Sequence, residues 1–182
     1  MEIIYLFLIF KIFVLLFMFQ IKHFLADYPL QNEYMLGKFK DKWDWIKPLG
    51  AHCGVHATFS FFILYVFCPW LTLSAILTLS ILDMVIHFIM DRIKASPNLL
   101  GRFQSLTKND FIMHKDEIDY LKIFEESHPK EAKEKIEIKE KLFNIRKKEN
   151  KYFWWALGLD QMVHHLTHYL IVFIAIAIYL FG

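Results

Sequence analysis

The 182-residue sequence contains histidines and aspartates that recur four residues apart, and these residues have the side chains best suited to chemistry. The spacing places both members of a pair on one face of a helix, one turn apart. Imidazole nitrogens and carboxylate oxygens are ligands of divalent ions such as zinc, manganese and iron. We interpret these residues as metal ligands. They are His23, Asp27, His52, His56, Asp83, His87, Asp91, Asp160, His164 and His168.

Four apolar stretches, each about as long as a helix that crosses a membrane, contain the ten residues or end at them. Hydrophobic residues make up 56% of the sequence, and their collection into blocks excludes an ordinary soluble domain. The net charge of +2 gives no indication of nucleic acid binding. The sequence therefore predicts an all-α protein, an integral membrane four-helix bundle. The predicted spans are residues 3–26, 49–68, 71–93 and 153–181.

Basic residues are concentrated in two of the segments that connect the spans. Residues 92–151 hold 15 of the 21 lysines and arginines, whereas the turn at Pro69 and Trp70 holds none. By the positive-inside rule, we expect both basic loops in the cytoplasm and both termini in the periplasm. We also expect the first span to be retained, because Glu2 stands where a signal peptide carries basic residues.

This orientation places all the pairs at a similar depth. The first and third spans run toward the cytoplasm, and their pairs lie near their ends. The second and fourth spans run away from it, and their pairs lie near their beginnings. All the pairs therefore fall in the cytoplasmic half of the membrane. Asp83 and His168 lie about one turn deeper. An ionised side chain near the bilayer centre costs roughly 2.5–3.5 kcal/mol. The ten groups are therefore expected to face one another rather than lipid.

A polar loop, residues 96–152, separates the third and fourth spans and is predicted to form a helical hairpin. Residues 107–110 fit a capping box, and Pro129 suits the first position of a second helix. We divide the chain into a transmembrane domain, residues 1–95 and 153–182, and this cytoplasmic insertion. A solvated hairpin is the expected role, and an arm that binds a partner or lipid is the alternative.

Ten ligands exceed the roughly four to six that one ion takes, so we predict two divalent ions. The donors are all nitrogen and oxygen, which fits zinc, manganese or iron alike; we favour zinc and leave manganese and iron open. Asp83 or Asp91 is expected to bridge the ions or to take a proton in catalysis. An anionic substrate group at the cytoplasmic rim is expected to contact Gln31, Arg92, Lys94 and Gln161.

Other interpretations of these residues remain open. A single histidine in a membrane helix is more often a hydrogen-bonded core residue than a ligand, and rows of histidine and aspartate can relay protons. Near the interface, His23, Asp27 and Asp91 could simply be hydrated. The joint pattern across four spans favours metal.

The motifs around these residues resemble those of an uncharacterised family of small bacterial and phage membrane proteins. They are His23-x-x-x-Asp27-Tyr-Pro-Leu-Gln31, His52-x-x-x-His56, His87-x-x-x-Asp91-x-x-Lys94 and Asp160-Gln161-x-x-His164. The resemblance covers the four spans but not the long loop. It implies a bacterial inner membrane protein and supports the ligand set, and it carries no established activity.

Two weaker similarities bear on the reaction. Helical zinc phosphoesterases, such as zinc-dependent phospholipase C, also present histidine and carboxylate pairs from neighbouring helices. Membrane di-iron desaturases have His-x-x-x-His and Gln-x-x-His-His boxes like those at His52 and Gln161, but their His-x-x-His-His box is missing. We favour a metal-dependent hydrolase acting on a phosphorylated or lipid-linked substrate at the cytoplasmic leaflet. The alternatives are a di-iron oxygenase and a non-enzymatic metal-binding membrane protein.

The expected partners follow from this interpretation. They are the lipid bilayer and a small-molecule or lipid-linked substrate, with no nucleic acid, and a homo-oligomer is compatible with so small a bundle. Cys53 and Cys68 lie fifteen residues apart on one predicted helix. They are separated by about 22 Å along it and cannot form a disulfide with each other.

Overall fold

A computed structural model describes residues 2–39, 43–96, 99 and 108–182, and the secondary structure of these residues is helical, without strands. The helices of this part of the chain are α1 (Glu2–Asp27), α2 (Glu33–Leu36), α3 (Ile46–Phe67), α4 (Leu73–Ala95), α5 (Lys108–Glu125), α6 (Pro129–Glu149) and α7 (Lys151–Phe181). The predicted all-α class is confirmed. Each predicted span coincides with a helix whose ends lie within three residues of the predicted ones.

Four of these helices, α1, α3, α4 and α7, are long and apolar enough to cross a membrane, and the chain is a membrane protein. Their outer faces carry large apolar side chains, such as Phe13 (68% exposed) and Phe173 (70% exposed). Most of their ionisable residues are buried instead. Apolar faces of this extent are unfavourable in water and are matched by hydrocarbon.

The interior of the four-helix bundle is divided into an apolar half and a polar half. In the apolar half, side chains from all four long helices pack into one core. Its members are Leu15, Phe19, Ile63, Leu64, Cys68, Leu71, Ile76, Leu79, Ile171, Val172, Ala175 and Ile176. Beyond Phe19 the interior becomes polar, and the ten predicted ligands lie there. Packing of the apolar half sets the rotation of each helix, and therefore which faces meet in the polar half.

The end of the bundle away from the ligands is closed by the turn between α3 and α4. The backbone N–H of Leu71 donates to the carbonyl of Cys68 at 2.9 Å, which forms the turn predicted at Pro69 and Trp70. Trp70 Nε1 donates to the carbonyl of Ala175 on α7 at 2.9 Å. The ammonium of Lys11 on α1 lies 4.3 Å from the centre of the Trp70 ring. These contacts connect α1, α7 and the turn.

The segment between α1 and α3 contacts the polar half. Asn32 caps α2, because its side-chain oxygen accepts a hydrogen bond from the backbone N–H of Met35 at 3.0 Å. A 3-10 turn, Gly37–Phe39, follows α2. This turn carries Lys38, which is 4% exposed and whose ammonium lies 2.8 Å from the carboxylate of Asp91 on α4. A loop residue is thus drawn into the buried polar region.

The chain divides into two compact units, one of Met1–Ala95 with Asp160–Gly182 and the other of Ser96–Leu159. The second unit contains α5 and α6, which form an antiparallel hairpin. Glu117 pairs with Lys139, and Asp110 pairs with Arg146, at 2.9 and 3.1 Å. Pro129 begins α6, as predicted, whereas the capping box predicted at residues 107–110 starts outside the described residues.

Candidate metal centre

The ten predicted ligands lie together in the polar half of the bundle. Helices α1 and α3 each contribute two of them, and α4 and α7 each contribute three. Nine of the ten residues are at most 4% exposed, and the side chain of Asp27 is 14% exposed. The i, i+4 spacing places the ligands of each helix on one face, and the packing turns these four faces toward one another.

Eight of the ten residues form three groups in which one donor atom from each member lies within 4.8 Å of the others. Metal–ligand bonds of about 2.0–2.3 Å are reached from this spacing by small side-chain rotations. The imidazole group is His23, His87 and His168; the mixed group is His23, Asp27 and His56; the carboxylate group is Asp91, Asp160 and His164. The imidazole and mixed groups share His23.

In the imidazole group, each ring has one nitrogen directed at a partner. His23 Nε2 lies 2.9 Å from the amide oxygen of Gln161. His87 Nδ1 lies 3.1 Å from the backbone carbonyl of Asp83 and 3.2 Å from its carboxylate. His168 Nε2 lies 3.1 Å from the ammonium of Lys22 and 3.5 Å from the same carboxylate. Metal-binding histidines typically use the nitrogen away from the ion in this way, which fixes the orientation of the ring.

The opposite nitrogens of these rings are buried and have no hydrogen-bond partner among the described residues. They are His23 Nδ1, His87 Nε2 and His168 Nδ1. Seven further buried atoms of the ten predicted ligands also make no hydrogen bond there: both nitrogens of His52 and of His164, His56 Nδ1, Asp83 Oδ1 and Asp160 Oδ1. Two of them nevertheless have a close polar neighbour, because His52 Nε2 lies 3.2 Å from Asp91 Oδ2 and Asp83 Oδ1 lies 3.2 Å from His87 Nδ1. An unsatisfied buried polar atom costs roughly 1–3 kcal/mol. So many in one place fit a cluster whose donors bind ions.

Asp27 is the centre of the mixed group. One of its carboxylate oxygens lies 3.0 Å from His56 Nε2 and 3.3 Å from His52 Nε2, and the other lies 3.3 Å from His23 Nε2. Three imidazoles from two helices therefore surround one carboxylate at the end of α1. Because Asp27 is also the most exposed of the ten ligands, we infer that the cluster is reached from its side.

The carboxylate group is accompanied by two lysines. Lys94 lies 2.6 Å from Asp160 Oδ2 and 3.6 Å from Asp91 Oδ1, and Lys38 lies 2.8 Å from Asp91 Oδ2. Asp160 Oδ1 and both nitrogens of His164 remain without hydrogen bonds in the described structure. Asp160 can therefore keep Lys94 on one oxygen and offer the other oxygen to an ion, whereas each oxygen of Asp91 faces a lysine, at 2.8 Å for Lys38 and 3.6 Å for Lys94.

Lys22 is a buried member of the cluster and is not among the predicted site residues. Its ammonium and the hydroxyl of Ser60 both donate to Asp83 Oδ2, and the ammonium also lies 3.1 Å from His168 Nε2. Lys22 is 1% exposed. The signal was present in the sequence, because a lysine beside His23 within an apolar span requires an acidic partner.

Residues 15–181 match the family described as "Protein of unknown function (DUF3307)". The chain belongs to this family. The match reaches all four helices that are long and apolar enough to cross a membrane, and it includes all ten predicted ligands. No curated protein and no solved structure matches the chain. The chemistry of the site is therefore argued from its own residues.

The four residues predicted to bind substrate lie at the same end of the bundle. Gln31 accepts a hydrogen bond from Lys38 at 3.0 Å, and Gln161 donates to Asp160 Oδ2 at 3.1 Å. The guanidinium of Arg92 lies 4.0 Å from the centre of the Trp45 ring. Lys94 holds Asp160, as described above. Their contacts support the cluster, and a role toward substrate stays a prediction.

His165 lies off the face of its helix that carries His164 and His168, and it is not one of the ten predicted ligands. In the structure its ring centre is 5.4 Å from that of His23, and its Nδ1 is buried without a hydrogen-bond partner among the described residues. It belongs to none of the three groups in this part of the chain. His165 thus provides a matched control for substitutions of the ligands.

Replacement of Gln161 by leucine is expected to weaken metal binding without abolishing it. The change removes the acceptor of the His23 Nε2–H hydrogen bond, which orients a ring shared by two groups. Loss of such a partner typically costs about 10- to 100-fold in metal affinity. Competition with a chromophoric chelator measures the change. Unaltered affinity in Gln161→Leu would contradict a ligand role for His23.

Proposed function

We propose that this protein is a membrane-embedded, metal-dependent hydrolase that uses two divalent ions, with zinc favoured. Its substrate is a phosphorylated or lipid-linked molecule reached from the cytoplasmic leaflet. The observation that carries the proposal is the set of three donor groups, built from all four spans and rich in buried donor atoms without hydrogen bonds. Such a set is costly to maintain unless its donors have a cation to bind.

The arrangement of the groups supports two ions. The imidazole and mixed groups share His23, so an ion in one group occupies the ring that an ion in the other group would need. The carboxylate group shares no member with them and can hold an ion of its own. His87 of the imidazole group stacks on His164 of the carboxylate group, with ring centres 3.9 Å apart. The two positions are therefore adjacent.

Hydrolysis is the chemistry that this donor set favours. Two adjacent divalent ions held by the three groups would lower the pKa of a nearby water and would polarise a phosphoryl or carbonyl oxygen. Asp91 is a member of the carboxylate group and remains our choice for accepting the proton of the attacking water. Asp83 contacts Lys22, Ser60, His87 and His168, and we now assign it to positioning those two rings.

The cytoplasmic orientation of the site is part of the proposal. It is supported by the basic loops that flank the polar end of the bundle in the sequence. The most exposed ligand and the more exposed lysine of the carboxylate group, Asp27 and Lys94, have side-chain exposures of 14% and 23%. A head group at the membrane surface could approach the ions at this end of the spans.

Elemental analysis of the detergent-purified protein tests the proposal. We expect about two divalent ions per chain, colourless if zinc, and metal-dependent release of phosphate from a phosphorylated lipid in mixed micelles. Iron with a visible absorption band would instead support the oxygenase alternative. Less than one ion per chain, with the same content in His56→Ala and His87→Ala, would exclude a metal centre. If the protein contains metal but hydrolyses no phosphorylated or acyl substrate, it is a metal-binding protein and not a hydrolase.

A further inference from the structure

Three of the four carboxylates of the cluster pair with a lysine; two of these lysines are buried, and the third, Lys94, is partly exposed. Lys22 donates to Asp83, Lys38 lies 2.8 Å from Asp91, and Lys94 lies 2.6 Å from Asp160. Their side chains are 0%, 4% and 23% exposed. Among the ten ligands, only the carboxylate of Asp27 has no described lysine partner and is surrounded by imidazoles instead. Most of the negative charge of the cluster is therefore already compensated.

The formal charge of the cluster limits what it can bind. Imidazoles that bind metal are neutral, so the four carboxylates and three ammonium groups leave one negative charge. One divalent ion converts this to one positive charge, and a second ion raises it to three. Uncompensated charge is strongly unfavourable in a buried site. A cluster with two ions therefore requires an additional anion.

The lysines beside the carboxylate group define where that anion would lie. An ammonium group has three N–H donors. Lys38 uses one on Gln31 and one on Asp91, and Lys94 contacts Asp160 and Asp91. Both lysines contact the same carboxylate, that of Asp91, and Lys94 is the most exposed of the three lysines. An anion placed here would contact an ion in the carboxylate group and two ammonium groups.

We propose that the second divalent ion binds together with an anion of the phosphate class, seated beside Lys38 and Lys94. The proposal rests on the two-ion centre proposed above and specifies the ligand that completes it. Phosphate matches the requirement, because it brings at least one negative charge and several acceptor oxygens for ion and ammonium groups. The source of the phosphate, free or on a lipid head group, is decided by experiment.

Linkage between metal and phosphate tests the proposal directly. Binding of Mn²⁺ to metal-free protein is measured in phosphatidylcholine nanodiscs, with inorganic phosphate or with chloride at equal ionic strength. We expect phosphate to raise the affinity for the second ion by about 5- to 150-fold, and Mn²⁺ to raise the affinity for phosphate by the same factor. A second series of measurements uses nanodiscs that contain phosphatidic acid. A larger increase in Mn²⁺ affinity in these nanodiscs identifies a lipid head group as the source of the phosphate. An increase with free phosphate alone identifies a soluble phosphate as the source.

Lysine variants locate the anion. Lys38→Met and Lys94→Met should each reduce the coupling at least about threefold. Lys11→Met is the matched control, because Lys11 also lies in a span but contacts the rings of Trp70 and Tyr179 at the other end of the bundle. Equal affinity for two ions with phosphate and with chloride would overturn this inference and leave the metal centre standing. Unchanged coupling in both lysine variants would overturn the position assigned to the anion, and absence of any Zn²⁺ or Mn²⁺ binding would instead defeat the proposed function.

Discussion

His23→Ala is expected to reduce the bound metal from about two ions per chain to about one or fewer. His23 is the ligand shared by the imidazole and mixed groups, so its loss leaves two donors in each of them. Two donors hold a divalent ion far less tightly than three. The carboxylate group, which lacks His23, should retain its ion. Elemental analysis after gel filtration measures the number of metal ions bound per chain.

The control for this experiment is His165→Ala. His165 is close to His23 but lies in none of the groups in the described residues, so its removal should leave the metal content unchanged. A similar loss in both variants would mean that removal of any histidine disturbs the bundle. Full metal content in His23→Ala would refute the grouping itself. Measurement of the helical content of each variant separates loss of ligands from loss of fold.

Lys22→Met is expected to destabilise the protein by about 3–5 kcal/mol, because it leaves the carboxylate of Asp83 buried without its cation. Both side chains of this pair are 0% exposed, so water cannot replace the lost partner. Asp83→Leu should be destabilising to a similar degree, since it leaves the ammonium of Lys22 buried. Unfolding in detergent, followed by circular dichroism, measures both changes.

The double variant Lys22→Met/Asp83→Leu separates the structural role of this pair from its role toward metal. Apolar residues in place of a buried ion pair are often neutral or stabilising, so the double variant should recover most of the lost stability. It should not recover metal affinity, because His87 and His168 lose the carboxylate that orients them. We expect a loss of about 10- to 100-fold in affinity. A double variant that is stable and binds metal normally would show that Asp83 has no positioning role.

The membrane helices and the faces that carry the ligands could be predicted from the sequence. Blocks of about 20 apolar residues predict spans because hydrocarbon leaves no other way to satisfy the backbone. The i, i+4 spacing predicts that His52 and His56 share a face, because this depends only on the pitch of one helix. The prediction that late residues of α1 and α4 meet early residues of α3 and α7 required only the alternating direction of the spans.

The hairpin shows the same division between local and long-range information. Its second helix was predicted to begin at Pro129, because the fixed φ angle of proline suits the first turn of a helix, and α6 begins there. The pairing of Glu117 with Lys139 on the neighbouring helix was not predicted. It depends on how two helices slide along each other, which their own periodicity leaves undetermined.

Only the tertiary structure decided how the ten ligands divide and which other groups join them. Which donors lie within 4.8 Å of one another depends on the rotation of the four helices, and this is set by apolar residues such as Phe19 and Leu64 far along the chain from the ligands. Lys38 reaches Asp91 from a loop, across 53 residues of sequence. A lysine has a long, flexible side chain, so its partner is determined by the cavity into which it folds and not by its spacing.

The sequence by itself therefore determined that a cluster of histidine and aspartate lies within the membrane bundle. The tertiary structure added three lysines to that cluster and reduced its formal charge to a single negative one. This difference matters physically, because buried charge must be compensated within a few ångströms. Spacing within a helix specifies donors, whereas only the packing of helices and loops specifies the charge around them.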